Sequence, residues 1–308
     1  MNIPNKARIG GLAALAFFAL VPLVTQSDYF IGVLTVCFIY GIWATSWDFM
    51  SGLTGRENFG HALFIGAGAY TAAFLGSRFN VNPWWGLPTG AFAAVVCGVI
   101  VGVPTLRLKG PYFALATFAA AAIAQRSTRI FWEYTGGEEG IPGLSPLIGS
   151  HLAYYYFCLG ALVVTTIVLL VLARSSWGIL LRAIRGDEAA CQAAGINIAF
   201  YKIVSLVISA AFAGVGGVLY ADYQLAVTPD VFSVVLSITI MIMVYVGGMG
   251  TIYGPVGGAI LLALLPEMLR AFGEYRLWVY SLVLIFILFF APGGLIAPIC
   301  RRIVGVRR

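Results

Sequence analysis

Four charged side chains of both signs, Arg182, Arg185, Asp187 and Glu188, fall within the stretch RAIRGDEAACQAAGIN that runs from residue 182 to 197. Small residues follow at once, with Ala189, Ala190, Ala193 and Ala194 closed by Gly195 and Asn197. Alanine permits close approach of another helix, and Arg185 with Glu188 can fix the register of such a contact by paired charge. The chemistry on offer is recognition, not bond making. On residue types alone, a plain solvated surface helix remains an equal reading. Motifs for covalent chemistry are missing. None of the glycine-rich stretches at 66–70, 214–217 and 247–258 is followed by the lysine of a phosphate loop. His61 and His151 are the only histidines, and Cys37, Cys97, Cys158, Cys191 and Cys300 are scattered without a C-x-x-C pair. No catalytic residue, no metal and no cofactor bound by this chain is expected.

The elements that must position that charged stretch are apolar. Of 308 residues, 61% are hydrophobic and 10% charged, against about 25% charged in a soluble domain. The mean hydropathy of +0.95 is spread along the chain. This excludes a soluble fold and leaves no room for a separate soluble catalytic domain. The 18 basic residues against 12 acidic ones read as basic loops on one membrane face, not as a nucleic-acid surface. The expectation is an all-α, polytopic transmembrane helical bundle, one domain over 1–308. About ten spans are predicted, at 9–25, 29–50, 59–77, 84–104, 112–132, 153–173, 201–221, 231–249, 256–272 and 277–292. The run after Lys6 and Arg8 reads as an uncleaved first helix. With both termini inside, Lys6, Arg8, Arg56, Arg107, Lys109, Arg174, Arg182, Arg185, Lys202, Arg301, Arg302, Arg307 and Arg308 all face one side, thirteen of the eighteen basic residues. The segment 174–199 then lies on the inner surface as helix, break and helix, with Glu188 in water. The Gly-, Pro- and acid-bearing loop 133–151 lies outside. The glycine-rich segments 60–76 and 247–258 are candidates for broken or re-entrant structure.

Within the spans, Ser205, Ser209, Ala213, Gly217 and Ala221 recur every four residues, as do Gly68, Ala72 and Gly76. Both series read as helix-packing ridges, because small residues let backbones approach in lipid. No ionisable residue falls at the middle of a predicted span, which argues against proton-coupled transport and leaves a pathway for a small, largely apolar solute. Asn58, His61, Tyr70 and Thr71 are its candidate lining, although His61 also reads as a hydrogen-bonded structural histidine. Arg129 with Glu133 and Glu267 with Arg270 are spaced for ion pairs near the outer surface.

The stretch 182–197 resembles the coupling-helix region of ABC importer permeases and, more narrowly, the LivM-type permeases of branched-chain amino acid importers. Support comes from GRENFGHALFIGAGAY at 55–70, RLKGPYFALATFA at 107–119, YTGGEEGIPG at 134–143 and VGGMGTIYGPVGGAILLALLPE at 246–267. Glu188 and Gly195 stand one residue further apart than in the family's usual pattern, which shifts the helix register. The resemblance implies a bacterial inner-membrane location and docking of an ATPase through Arg182, Arg185, Asp187, Glu188, Ala189, Ala190 and Gly195. It also implies a homologous second permease subunit, two cytoplasmic ABC ATPase subunits that hold the ATP and Mg, and a periplasmic substrate-binding protein. The implied cargo is branched-chain or other hydrophobic amino acids. Urea or short amides are the alternative cargo, and a stand-alone secondary transporter or facilitator is the alternative class.

Overall fold

The computed structural model describes residues 5–25, 27–105, 108, 111–269, 273, 275–290 and 294–295. Arg107, Lys109, Arg270, Cys300 and the basic C-terminal residues 301–308 lie outside these, as do the side chains of Lys6 and Arg8. The chain is overwhelmingly helical. In order it forms α1 (Asn5–Val24), α2 (Asp28–Trp47), which runs on into a π-helical turn (Asp48–Gly52), α3 (His61–Phe79), α4 (Gly86–Thr105) and α5 (Pro111–Ile130). A one-turn α6 (Trp132–Thr135) precedes α7 (His151–Arg174), α8 (Ser176–Gly186), α9 (Glu188–Ala193) and α10 (Ile198–Gln224). Then come α11 (Val234–Gly247), α12 (Tyr253–Met268) and α13 (Arg276–Phe290).

Among the described residues, four helical segments are long and apolar enough to cross a membrane: Asp28–Gly52, Pro83–Thr105, His151–Arg174 and Ile198–Gln224. Length and composition alone thus support fewer spans than the ten expected. At 14 and 16 residues, α11 and α12 each rise about 21–24 Å, short of a roughly 30 Å hydrocarbon core. The two pack against each other as a hairpin turning at 248–252.

The segment Asp28–Gly52 is the axis of the bundle. It is apolar on every side, as a helix surrounded by others must be, and it packs against α7, α10, α11 and α12. Phe38, Ile39, Ile42, Trp43 and Trp47 are fully buried on it. Beside it α3, α4 and α10 meet at backbone distance. A side chain on Gly68 would collide with the carbonyl of Gly214, and one on Gly217 with the carbonyl of Ile65. Ser205, Ser209, Ala213 and Ala221 are buried on the same helix. Gly76 has open space around it, so the α3 contact ends before it. The α4 helix brings its own small series, with Gly86, Gly90, Ala94, Gly98 and Gly102 all buried. Lipid gives helices no hydrophobic reason to associate, so such contacts carry the packing.

Several expectations are corrected. The segment 60–76 is not broken, because α3 continues from His61 to Phe79 and its glycines serve packing. The break near 247–258 is real and falls at 248–252, where Gly248, Gly250 and Ile252 take positive φ. Two short strands interrupt the all-α pattern. In them β1 (Ile141–Pro142) pairs antiparallel with β2 (Ala226–Val227), Ile141 opposite Val227. They stitch the long loop to the end of α10, helped by Leu147 N–H donating to Asp222 Oδ1 at 2.7 Å. Arg129 does not meet Glu133. The α5 helix stops at Ile130, so the i,i+4 geometry is lost, and Arg129 Nε reaches Glu138 Oε1 at 3.1 Å instead.

Candidate functional site

One end of the bundle gathers α8, α9, the π-helical turn and the 248–252 turn. On α8, Gly178, Leu181 and Ile184 face inward while the remaining surface is polar or exposed. The chain leaves helical geometry at Asp187, whose carboxylate accepts from Ala190 N–H at 3.0 Å and so caps α9. Cys191 is the buried foot of α9, and Gly195, at φ +82°, ends the segment where most side chains would be strained.

The charges that looked available for a partner are spent within the chain. Glu188 Oε1 accepts from Lys202 Nζ at 2.7 Å and from Arg56 Nη2 at 2.8 Å. The Lys202 side chain is 3% exposed, that of Arg56 12% and that of Glu188 37%. Glu188 therefore does not stand in water but neutralises two largely desolvated cations, which would otherwise be very unfavourable. Partial burial pushes its carboxyl upward, but the hydrogen bonds from Lys202 and Arg56 outweigh this and hold it below the ordinary carboxylate range. Arg56 also donates to the carbonyl of Leu108 at 3.1 Å. A single carboxylate thus joins α9, the 53–60 connection and the first turn of α10, and Arg56 carries the tie on to the α4–α5 connection. Arg182 donates to the Ala173 carbonyl at 2.6 Å and Arg185 to the Gly52 carbonyl at 2.5 Å. What α9 leaves exposed is Asp187, Ala189, Ala190, Gln192 and Ala193, with Ala194 and Gly195 beyond it.

Sequence reasoning gave Asp48 no role. It is fully buried and accepts from Gly250 N–H at 2.6 Å and Ile252 N–H at 2.9 Å. A side chain at Gly52 would strike its Oδ1. Through Arg185, Gly52 and Asp48, α8 is therefore linked to the axial helix and onward to the α11–α12 turn. Tyr245 adds a second link by donating to Glu57 Oε1 at 2.6 Å. An aspartate closing an otherwise apolar run, four residues before a glycine, was the available signal.

The four candidate pathway residues do not come together. Asn58 and His61 are fully enclosed at this same end. Asn58 accepts from Gly60 N–H through its side chain and from Trp47 Nε1 through its carbonyl, and His61 Nε2 lies 3.1 Å from Ser46 Oγ. Tyr70 is buried and stacks on Phe232 at 5.4 Å, while Thr71 bonds back to the Ala67 carbonyl. None of them lines the largest cavity. That space of about 530 Å³ lies at the opposite end, between α2, α10, α11 and α12. Among the described residues no group of three or more His, Cys, Asp or Glu could hold a metal.

The family profile described as "Branched-chain amino acid transport system / permease component" matches residues 29–292. The high-affinity branched-chain amino acid transport system permease protein LivM of Escherichia coli (strain K12) is 30% identical over 314 aligned positions, covering 92% of this chain and 74% of that protein. The protein of the same name from Salmonella typhimurium is 29% identical, covering 86% and 69%. The probable branched-chain amino acid transport permease protein LivM of Methanocaldococcus jannaschii is 24% identical, covering 76% and 75%. No solved structure matches. With the profile spanning all but the ends of a transmembrane helical bundle, the chain belongs to the family of branched-chain amino acid transport permeases.

Proposed function

We propose that this chain is the membrane-spanning subunit of an ATP-driven ABC importer for branched-chain or other hydrophobic amino acids, in the bacterial inner membrane. It forms half of the translocation pathway and catalyses no covalent step. The observation that carries this reading is the construction of α8–α9. Its inner side is tied by Glu188 and Arg185 into the 53–60 connection, α10 and the axial helix, and its outer side offers small residues. An element built in this way passes a push from outside into the spans without itself moving far. The cytoplasmic partner is an ABC ATPase pair, which holds ATP and Mg and seats its surface on Asp187, Ala189, Ala190 and Gly195. A homologous second permease completes the pathway, and a periplasmic binding protein delivers the solute at the far end. Alternation between outward-open and inward-open states then follows ATP-driven closure of the ATPases.

The test is reconstitution. The tagged chain, co-expressed with the products of its neighbouring genes, should retain two ATPases and a second permease through purification. The proteoliposomes should then accumulate leucine only with ATP on the ATPase side. Leucine uptake by this chain alone, without ATP, would instead establish a facilitator and end the importer reading.

A further inference from the structure

The cavity at the end opposite α8–α9 has a chemistry of its own. Asp28 and Glu267 stand at its mouth, Tyr40 and Tyr223 form its walls, and Val36 and Met243 lie deep in it. From Asp28 to Tyr40 the lining helix advances twelve residues, about 18 Å along its axis, so the space reaches well into the bundle. Its lining contains two carboxylates and no Lys, Arg or His. Asp28 is exposed, and so is placed to receive a cation from water. Its volume of about 530 Å³ lies within the roughly 300–1,000 Å³ of small-molecule sites.

Tyr223 is held in its wall position from two sides. It stacks on Tyr154 at 6.2 Å, and Tyr154 is fixed by donating to the Leu219 carbonyl at 2.7 Å. On the other side its hydroxyl lies against Gly32, where even a methyl group would sit 2.5 Å from it. A tyrosine face near a carboxylate attracts an ammonium ion twice, by charge and by the ring quadrupole. An acyl chain accounts for the apolar depth but not for the acidic mouth, which repels anionic headgroups. A simple cation accounts for the mouth but not for the depth.

We propose that this cavity is a binding vestibule for a primary amine carrying a branched apolar side chain, with the ammonium between Asp28 and Tyr223 and the side chain against Val36 and Met243. The proposal rests on the import reading for its choice of leucine as probe, but its test does not require transport. In the purified complex with the native cysteines replaced by alanine, Val36→Cys should react with a water-soluble methanethiosulfonate. Saturating leucine should slow that reaction at least tenfold. Isovalerate, which lacks the amine, and glycine, which lacks the side chain, should leave the rate unchanged. Asp28→Asn should raise the leucine concentration needed for half protection about tenfold or more without altering the rate in its absence. Gly32→Leu, which drives Tyr223 off the wall, should abolish protection.

A Val36→Cys that never reacts, or one that leucine does not protect, overturns the proposal even if the complex imports leucine. Equal protection by isovalerate overturns the role of Asp28 and shows a general apolar slot. Protection in a complex that does not import leucine keeps the vestibule and removes the importer reading.

Discussion

Glu188 and Arg129 are both members of charge clusters at an end of the bundle, yet their surroundings differ completely. At the α8–α9 end, Glu188 serves a lysine 3% exposed and an arginine 12% exposed. At the loop end, the Arg129 and Glu138 side chains are 41% and 73% exposed. The first cluster ties several elements to one carboxylate, and the second spans a gap that water could fill equally well. Loop-end order comes instead from backbone, through the β1–β2 pairing and the Leu147–Asp222 bond. Desolvated charge makes a joint that resists deformation, whereas exposed charge leaves room for motion and for a solute cavity. A stiff end suited to receiving force and a looser end suited to admitting solute are what the proposed importer needs.

The comparison breaks first at Glu188. Glu188→Lys places a third cation beside two desolvated ones, and loss of a buried partner is worth about 3–5 kcal/mol. Thermal unfolding in detergent should show a large drop in melting temperature, and the α8–α9 segment should become sensitive to protease. Glu188→Gln should cost less, and adding Lys202→Met should recover part of that loss, since both members of one pair are then gone. The sign with pH is fixed. A carboxyl held below its ordinary value contributes fully above about pH 4.3 and loses that contribution as pH falls through its lower folded value. The gap between wild type and Glu188→Gln should therefore be equal at about pH 6 and 8 and shrink only in acid. Equal stability of Glu188→Lys and wild type would show that the joint carries no load.

A smaller effect is expected at Asp48. Asp48→Asn keeps the shape but turns one acceptor into a donor, which then faces the Gly250 or Ile252 N–H group, at a cost of about 1–3 kcal/mol. Because this residue connects α2 with the α11–α12 turn, coupling should suffer more than folding. ATP hydrolysis by the assembled complex should persist while uptake per ATP falls severalfold. Parallel loss of both would mean that the bond only stabilises the fold.

Those joints were largely hidden in the sequence, and the reason is distance along the chain. Arg56 and Glu188 are 132 positions apart, and no periodicity connects them, so Glu188 reads as a solvated charge until α9 is laid against the 53–60 connection. Elements decided by local pattern were readable. The uninterrupted apolar runs at 29–50, 153–173 and 201–221 became Asp28–Gly52, His151–Arg174 and Ile198–Gln224. The amphipathic stretch with its internal break became α8 and α9. The four-residue spacing of small residues on α10 was legible too, but the same spacing on α4 passed unnoticed among its valines. Glycine was the ambiguous letter. In α3 it permits helix contact, whereas at 248–252 it permits a turn, and only the packing partner distinguishes the two. Two-residue strands are shorter than any sequence pattern can reveal, and a cavity formed between four helices is a property of packing alone.

The smallest effect belongs to the loop end. Arg129→Gln removes the contact to Glu138 and the longer 4.0 Å approach to Asp230. Both partners are mostly in water, so each pair recovers little beyond the hydration it gives up, and such exposed pairs are worth about 0–1 kcal/mol. The melting temperature should stay within error of wild type, and the small difference should vanish in molar salt, where screening acts within about 3 Å. The α8–α9 joint should be nearly indifferent to the same salt because its cations are shielded by protein. Measuring Arg129→Gln and Glu188→Gln side by side in low and high salt therefore tests the contrast directly. A salt-independent loss at Arg129 as large as that at Glu188 would show the two ends to be equally stiff, and would remove the physical basis for assigning force to one and solute entry to the other.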